Sequence, residues 1–142
     1  MDRDWNLFLD DYRIPTDAAK YMFRRIGKEN VIYIENKWII VKNYEQFVNQ
    51  IKKRGLPKIV SFDHDLSDLH YQVSFEDWED YTSEQLGVEK TGADCAKWLK
   101  DYCNKNNLKL PVCYIHSMNP VGSQNILNIL NGRTLVNNRA NL

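Results

Sequence analysis

The chain has 142 residues, 19 Lys+Arg against 19 Asp+Glu, and 43% hydrophobic residues, a balance that suits one soluble globular domain whose core needs neither disulfides nor a structural metal. No apolar run approaches the ~18–20 residues of a membrane span, and the charged start Met1-Asp2-Arg3-Asp4 does not read as a signal peptide, so a cytoplasmic protein is expected. Zero net charge excludes a uniformly basic nucleic-acid binder, but it hides an uneven distribution: residues 67–90 hold seven acids and one base, a net of −6 that leaves +6 on the rest.

Residues 5–9, Trp-Asn-Leu-Phe-Leu, have the length of a buried strand and end at Asp10-Asp11. Pro15 marks a turn or helix start, and the spacing predicts a short helix over 17–25 with Ala18, Ala19, Met22, Phe23 and Ile26 inward. Residues 31–34 and 38–41 are β-branched or aromatic runs around Asn36-Lys37, read as a hairpin or one long irregular strand. Apolar residues at Tyr44, Phe47, Val48 and Ile51 predict a helix over 44–53 that Gly55 and Pro57 stop. A strand over 58–62 follows and runs into Asp63-His64-Asp65.

The acidic segment 67–90 carries Tyr71, Phe75, Trp78 and Tyr81, so it reads as an ordered insertion or lid after the third strand; His70 within it reads as structural. Thr91, with Asp94 three residues on, caps a helix to about residue 104 whose apolar face is Ala96, Leu99, Tyr102 and Cys103. A strand over 112–115 leads to His116-Ser117, and Asn119-Pro120 opens a last helix that ends at Gly132. Residues 134–136 read as a final strand and 137–142 as a loose tail. Strands alternating with helices imply an α/β three-layer sandwich with a mostly parallel sheet. Cys95, Cys103 and Cys113 show no CxxC and no paired histidine spacing, and read as small buried hydrophobes.

Three strand ends carry polar groups: Asp10-Asp11, Asp63-His64-Asp65 and His116-Ser117. In an open α/β sheet the ligand crevice lies outside the carboxyl ends of the strands, so these clusters should converge. Carboxylates gathered there need a cation or shared protons, and hard oxygen donors favour Mg²⁺ or Mn²⁺ among Asp10, Asp11 and Asp63. Alternation along the chain would put Asp63 and Asp65 on one face with His64 pointing away. His64 and His116 suit proton transfer at a phosphate. The strand-to-helix passage with Gly122 in its first turn resembles an anion cradle, or else a well-capped helix. Arg13 is either a forked phosphate contact or a surface arginine. The basic groups at Lys20, Arg24, Arg25 and Lys28 and at Lys52, Lys53, Arg54 and Lys58 are solvated faces or a track for a polyanion.

Four ordered segments carry a family resemblance: Leu-Phe-Leu-Asp-Asp-Tyr-Arg (7–13), Ser-Phe-Asp-His-Asp-Leu (61–66), Thr-Gly-Ala-Asp-Cys-Ala-Lys-Trp-Leu (91–99) and Ile-His-Ser-Met-Asn-Pro-Val-Gly (115–122). Together they resemble the cyclic-phosphate-processing receiver-like domains. The resemblance implies a receiver-like (flavodoxin-like) topology and the processing of nucleotide or RNA 2′,3′-cyclic phosphates, often in RNA end repair. It matches Asp10 and Asp11 to the receiver acid pair, Asp63 to the strand-end aspartate and Ser117 to the receiver hydroxyl, while His64, Asp65, His116 and Asn119 belong to the cyclic-phosphate branch. Receivers hold an acyl phosphate with a lysine after the strand that follows the helix next to Ser117, but from Gly132 onward this chain has only Arg133 and Arg139, which argues against phosphorelay.

The expectation is therefore a metal-dependent phosphoesterase acting on an RNA end or a small cyclic nucleotide. Its catalytic residues would be His64, His116 and Asp65, its metal ligands Asp10, Asp11 and Asp63, and its phosphate contacts Arg13, Ser117, Asn119 and Gly122. The alternatives are a signalling receiver phosphorylated on Asp63 and a non-catalytic phosphate or nucleotide binder.

Overall fold

The structure, a computed structural model, describes residues 3–26, 31–66 and 90–132. The expected insertion over 67–90 apart from its last residue Lys90, the strand over 134–136 and the tail over 137–142 lie outside the described residues.

Four strands, β1 (Asn6–Leu9), β2 (Ile39–Val41), β3 (Ile59–Phe62) and β4 (Val112–Ile115), form an all-parallel sheet in the order β2-β1-β3-β4. Among the described residues the helices are α1 (Pro15–Ile26), α2 (Ile32–Glu35), α3 (Tyr44–Arg54), α4 (Gly92–Lys105) and α5 (Pro120–Leu130). The central strands are apolar on both faces, as a sheet covered on both sides requires. Leu7, Leu9, Val60 and Phe62 face a core shared with Phe47, Val48 and Ile51 of α3, Cys95, Ala96, Leu99 and Cys103 of α4, and Ile126 and Leu130 of α5. Phe8 points the other way, to a smaller core with Ala18, Ala19 and Tyr33. The chain is thus a three-layer α/β sandwich with receiver-like topology.

Local chemistry fixes the helix ends. Asn43 caps α3 by accepting from Gln46 N–H at 2.9 Å, and Gly55, at φ 83°, ends it. Thr91 and Asp94 form the expected capping box on α4, with Thr91 N–H donating to Asp94 at 2.7 Å. Asn119 caps α5, with Pro120 in its first turn. Cys95 and Cys103 are buried thiols and Cys113 is half-buried, with no disulfide.

One stretch differs from its sequence pattern. Residues 31–34 are not a strand: one helical turn, α2, puts Tyr33 into the core, its ring edge-on to Phe8 at 5.9 Å and stacked on Trp38 at 5.5 Å. Burial of one aromatic side chain outweighs the weak β preference of its neighbours. The hairpin is excluded as well, because β2 pairs in parallel with β1.

Candidate functional site

The site follows from strand register. Phe8 pairs with Ser61, and Ser61 with Tyr114. The ladder then runs one residue past the strands, with Asp63 N–H donating to the Leu9 carbonyl at 3.0 Å and His116 N–H to that of Phe62 at 2.9 Å. Side chains alternate along a strand, so Asp10, Asp63 and His116, each two residues beyond that trio, share its face at the carboxyl edge of the sheet. Asp11 completes a group: ligand oxygens of Asp10, Asp11 and Asp63 lie within 4.8 Å of one another.

Asp10 is bonded at both carboxylate oxygens. Its Oδ1 accepts the backbone N–H groups of Tyr12 at 2.9 Å and Arg13 at 2.8 Å, which fixes the turn into α1, and its Oδ2 lies 3.1 Å from His116 Nε2. Burial pushes the Asp10 carboxyl up, but the bonds from His116 and the two amides outweigh it and hold the group below its ordinary value. Asp63 accepts from the His64 amide at 2.9 Å. Burial first, and the charge of Asp10 second, push its carboxyl up to about 8.

The two histidines have different surroundings. His116 is wholly buried, stacked on Phe8 with ring centroids 4.3 Å apart, and both its nitrogens are taken, Nδ1 by Ser61 Oγ at 2.6 Å and Nε2 by Asp10. Burial holds its imidazole below its ordinary value, against the pull of Asp10. The expected role of His116 as a proton carrier to substrate is thereby corrected: it supports Asp10 from inside the core. His64 lies at the site with Nδ1 2.8 Å from Asp65 Oδ1. Asp65 Oδ2 accepts from Asn119 Nδ2 at 3.4 Å, and Asn119 Oδ1 accepts the Gly122 N–H at 2.9 Å. Asp63 and Asp65 therefore part company, one toward the acid cluster and the other onto His64, because the chain leaves extended geometry after Phe62.

Gly122 has a different use from the one its sequence suggests. Its amide is bound by Asn119, and a methyl on its Cα would overlap the His64 ring, so the glycine makes room for an imidazole and not for an oxyanion. Gly92 makes room for backbone instead: a methyl there would overlap the Asp63 carbonyl, and its N–H donates to the His64 carbonyl at 2.7 Å. Ser117 is buried in the cap of α5, where its Oγ accepts from Asn119 N–H at 3.0 Å. Arg13 reaches from the loop after β1 to Met118 Sδ in the loop after β4, and its charge is felt at Asp63.

A family model described as the cyclic-phosphate processing receiver domain matches residues 5–132. The chain belongs to this family. As a cyclic-phosphate processing receiver domain it carries Asp63 at the end of β3 and the acid pair at the end of β1. No curated protein matches the chain. Among the described residues no helix is long and apolar enough to cross a membrane.

Sequence reasoning overlooks three residues that shape the site: Tyr33, Ser61 and Gly92. Ser61 gave the best signal, a lone hydroxyl inside the apolar strand Ile59–Phe62, where a buried polar group implies a bonded partner.

Proposed function

We propose that the chain is a divalent-metal-dependent phosphoesterase that opens 2′,3′-cyclic phosphates on small nucleotides or at RNA ends. The observation that carries the reading is the cluster of Asp10, Asp11 and Asp63 beside a hydrogen-bonded His64–Asp65 pair on the edge where α/β sheets bind ligands. The donor set fits Mg²⁺ or Mn²⁺: three hard oxygens and no thiolate. A cation held by Asp10, Asp11 and Asp63 would neutralise phosphoryl oxygens and the crowding that raises Asp63.

The protein's own groups supply the rest. Asp65 holds His64 at Nδ1, which leaves Nε2 to take the proton of the attacking water. As the water oxygen bonds to phosphorus, one ribose ester bond breaks; its oxygen takes a proton from solvent and leaves as a hydroxyl, His64 returns its proton to solvent, and the product is a phosphomonoester. Arg13, whose charge is felt at Asp63, would be a forked donor to the phosphoryl oxygens, while Ser117 and Asn119 hold the start of α5 beside His64 and Asp65. The rim also offers apolar surface, with Tyr12 87% and Met118 54% exposed, on which a nucleoside can lie.

The test is to incubate the full chain with a cyclic-phosphate-terminated oligoribonucleotide and a 2′,3′-cyclic mononucleotide, with Mg²⁺ or Mn²⁺. The expected result is metal-dependent formation of monoester, abolished by Asp63→Ala and reduced about 10²–10⁴-fold by His64→Ala. Acyl-phosphate labelling of Asp63 by a small phosphodonor without turnover would favour a signalling receiver instead. Thermal stabilisation by the nucleotide without turnover would favour a binder.

A further inference from the structure

Behind the acid cluster, four groups that are at most 2% exposed stand in line: Tyr33, Ser61, His116 and Asp10. The Tyr33 hydroxyl lies 2.6 Å from Ser61 Oγ, which lies 2.6 Å from His116 Nδ1, and His116 Nε2 lies 3.1 Å from Asp10 Oδ2. Phe8 lies flat on the imidazole at an interplanar angle of 6°, and the Tyr33 ring meets it at 81°. The imidazole plane is therefore set by packing, and its two nitrogens by hydrogen bonds.

The chain has a direction, and the carboxylate end sets it. An ionised carboxylate has no hydrogen to give, so His116 Nε2 must carry one and donate it. The ring is enclosed in the core, where the uncharged form is favoured, so Nδ1 is an acceptor. It takes the Ser61 hydrogen, and Ser61 Oγ in turn takes the hydrogen of Tyr33. Every hydrogen then points toward Asp10. The alternative tautomer would set a nitrogen lone pair against the Asp10 carboxylate, so loss of a hydroxyl leaves Nε2–H in place but frees the far side of the ring: without Ser61 Nδ1 has no donor, and without Tyr33 the Ser61 hydroxyl is free to turn.

We infer that Tyr33 and Ser61 are positioning residues of the site: through His116 they fix the orientation of Asp10 and so set how tightly the acid cluster holds a divalent cation. The inference rests on reading Asp10, Asp11 and Asp63 as a cation site. Outer partners of this kind orient ligands in metal sites, and their loss costs about 10–100-fold in affinity.

The experiment uses the full chain, with Mn²⁺ as the probe ion titrated calorimetrically, and with ¹⁵N-histidine NMR of the metal-free protein. The wild type is expected to show His116 as the Nε2–H tautomer. Ser61→Ala should weaken Mn²⁺ binding at least 10-fold, Tyr33→Phe should weaken it by a smaller factor in the same direction, and both should move the His116 Nδ1 resonance, as its hydrogen bond is lost or weakened, while Nε2 stays protonated. Tyr33→Phe removes one oxygen and keeps the ring packing, so it decides the matter if Ser61→Ala does not fold. A purely structural role would lower the melting temperature and leave Mn²⁺ affinity within twofold of wild type. That result, or an Nδ1–H tautomer in the wild type, overturns the inference while leaving the cation site standing. No Mn²⁺ uptake by the folded wild type overturns both.

Discussion

Asp10 and Asp63 pair side by side in the extended ladder, yet their carboxyl groups are driven in opposite directions. Burial opposes charge on both, but Asp10 collects three hydrogen bonds, whereas Asp63 accepts one from the His64 amide and faces the charge of Asp10. The folded chain thus keeps a proton on Asp63 up to about pH 8, one that the unfolded chain releases near 3.8. Across that window the folded state binds more protons, so stability falls as pH rises. His116, held below its ordinary 6.5, contributes the opposite slope below that value, which leaves the range from pH 6.5 to about 8 for Asp63. In EDTA the urea midpoint should fall across this range in the wild type and stay level in Asp63→Asn. A divalent cation should bind more tightly as pH rises through the same range, because it displaces the proton. The acids at these strand ends were legible from the sequence. The separation of their roles was not, because it depends on which of them His116 and the backbone amides reach.

At the scale of elements, two helices are brought against the turn at residues 63–65 by glycines. A Cβ on Gly92 would overlap backbone, which cannot yield, so Gly92→Ala should cost at the upper end of about 1–3 kcal/mol by overpacking. A Cβ on Gly122 would overlap the His64 ring, which can swing away. Gly122→Ala also gains about 1 kcal/mol of helix propensity, so its melting temperature should change little while turnover drops about 100-fold through misplacement of His64. Thermal melts and rates of the two variants, measured together, check this contrast. The capped helices were legible because Asn43, Thr91 with Asp94, and Asn119 are local signals. The turn of α2 was not, because Tyr33 is held by Phe8, Trp38 and Ser61, all distant partners or chain neighbours that meet only in the folded core. The use of Gly122 was misread for the same reason: the group that needs its space lies 58 positions earlier, at His64.

Over the whole molecule the zero net charge divides into −6 within residues 67–90 and +6 elsewhere. The acidic segment follows directly on Asp65 and Leu66 in the chain, and like charge repels a long polyanion more than a small nucleotide or an exposed terminus. Replacing Glu76, Asp77, Glu79 and Asp80 by their amides should lower KM for a long RNA several-fold and leave KM for a cyclic mononucleotide nearly unchanged, with the difference shrinking at high salt. The most direct single measurement is the ³¹P spectrum of a 2′,3′-cyclic mononucleotide after incubation with the full chain and Mg²⁺ or Mn²⁺, the metal being chelated before acquisition. The expected result is replacement of the cyclic phosphate resonance by that of a monoester in the wild type and not in Asp63→Ala. An unchanged cyclic phosphate with either metal, or equal conversion by Asp63→Ala, would contradict the assignment of the acid cluster as the catalytic centre.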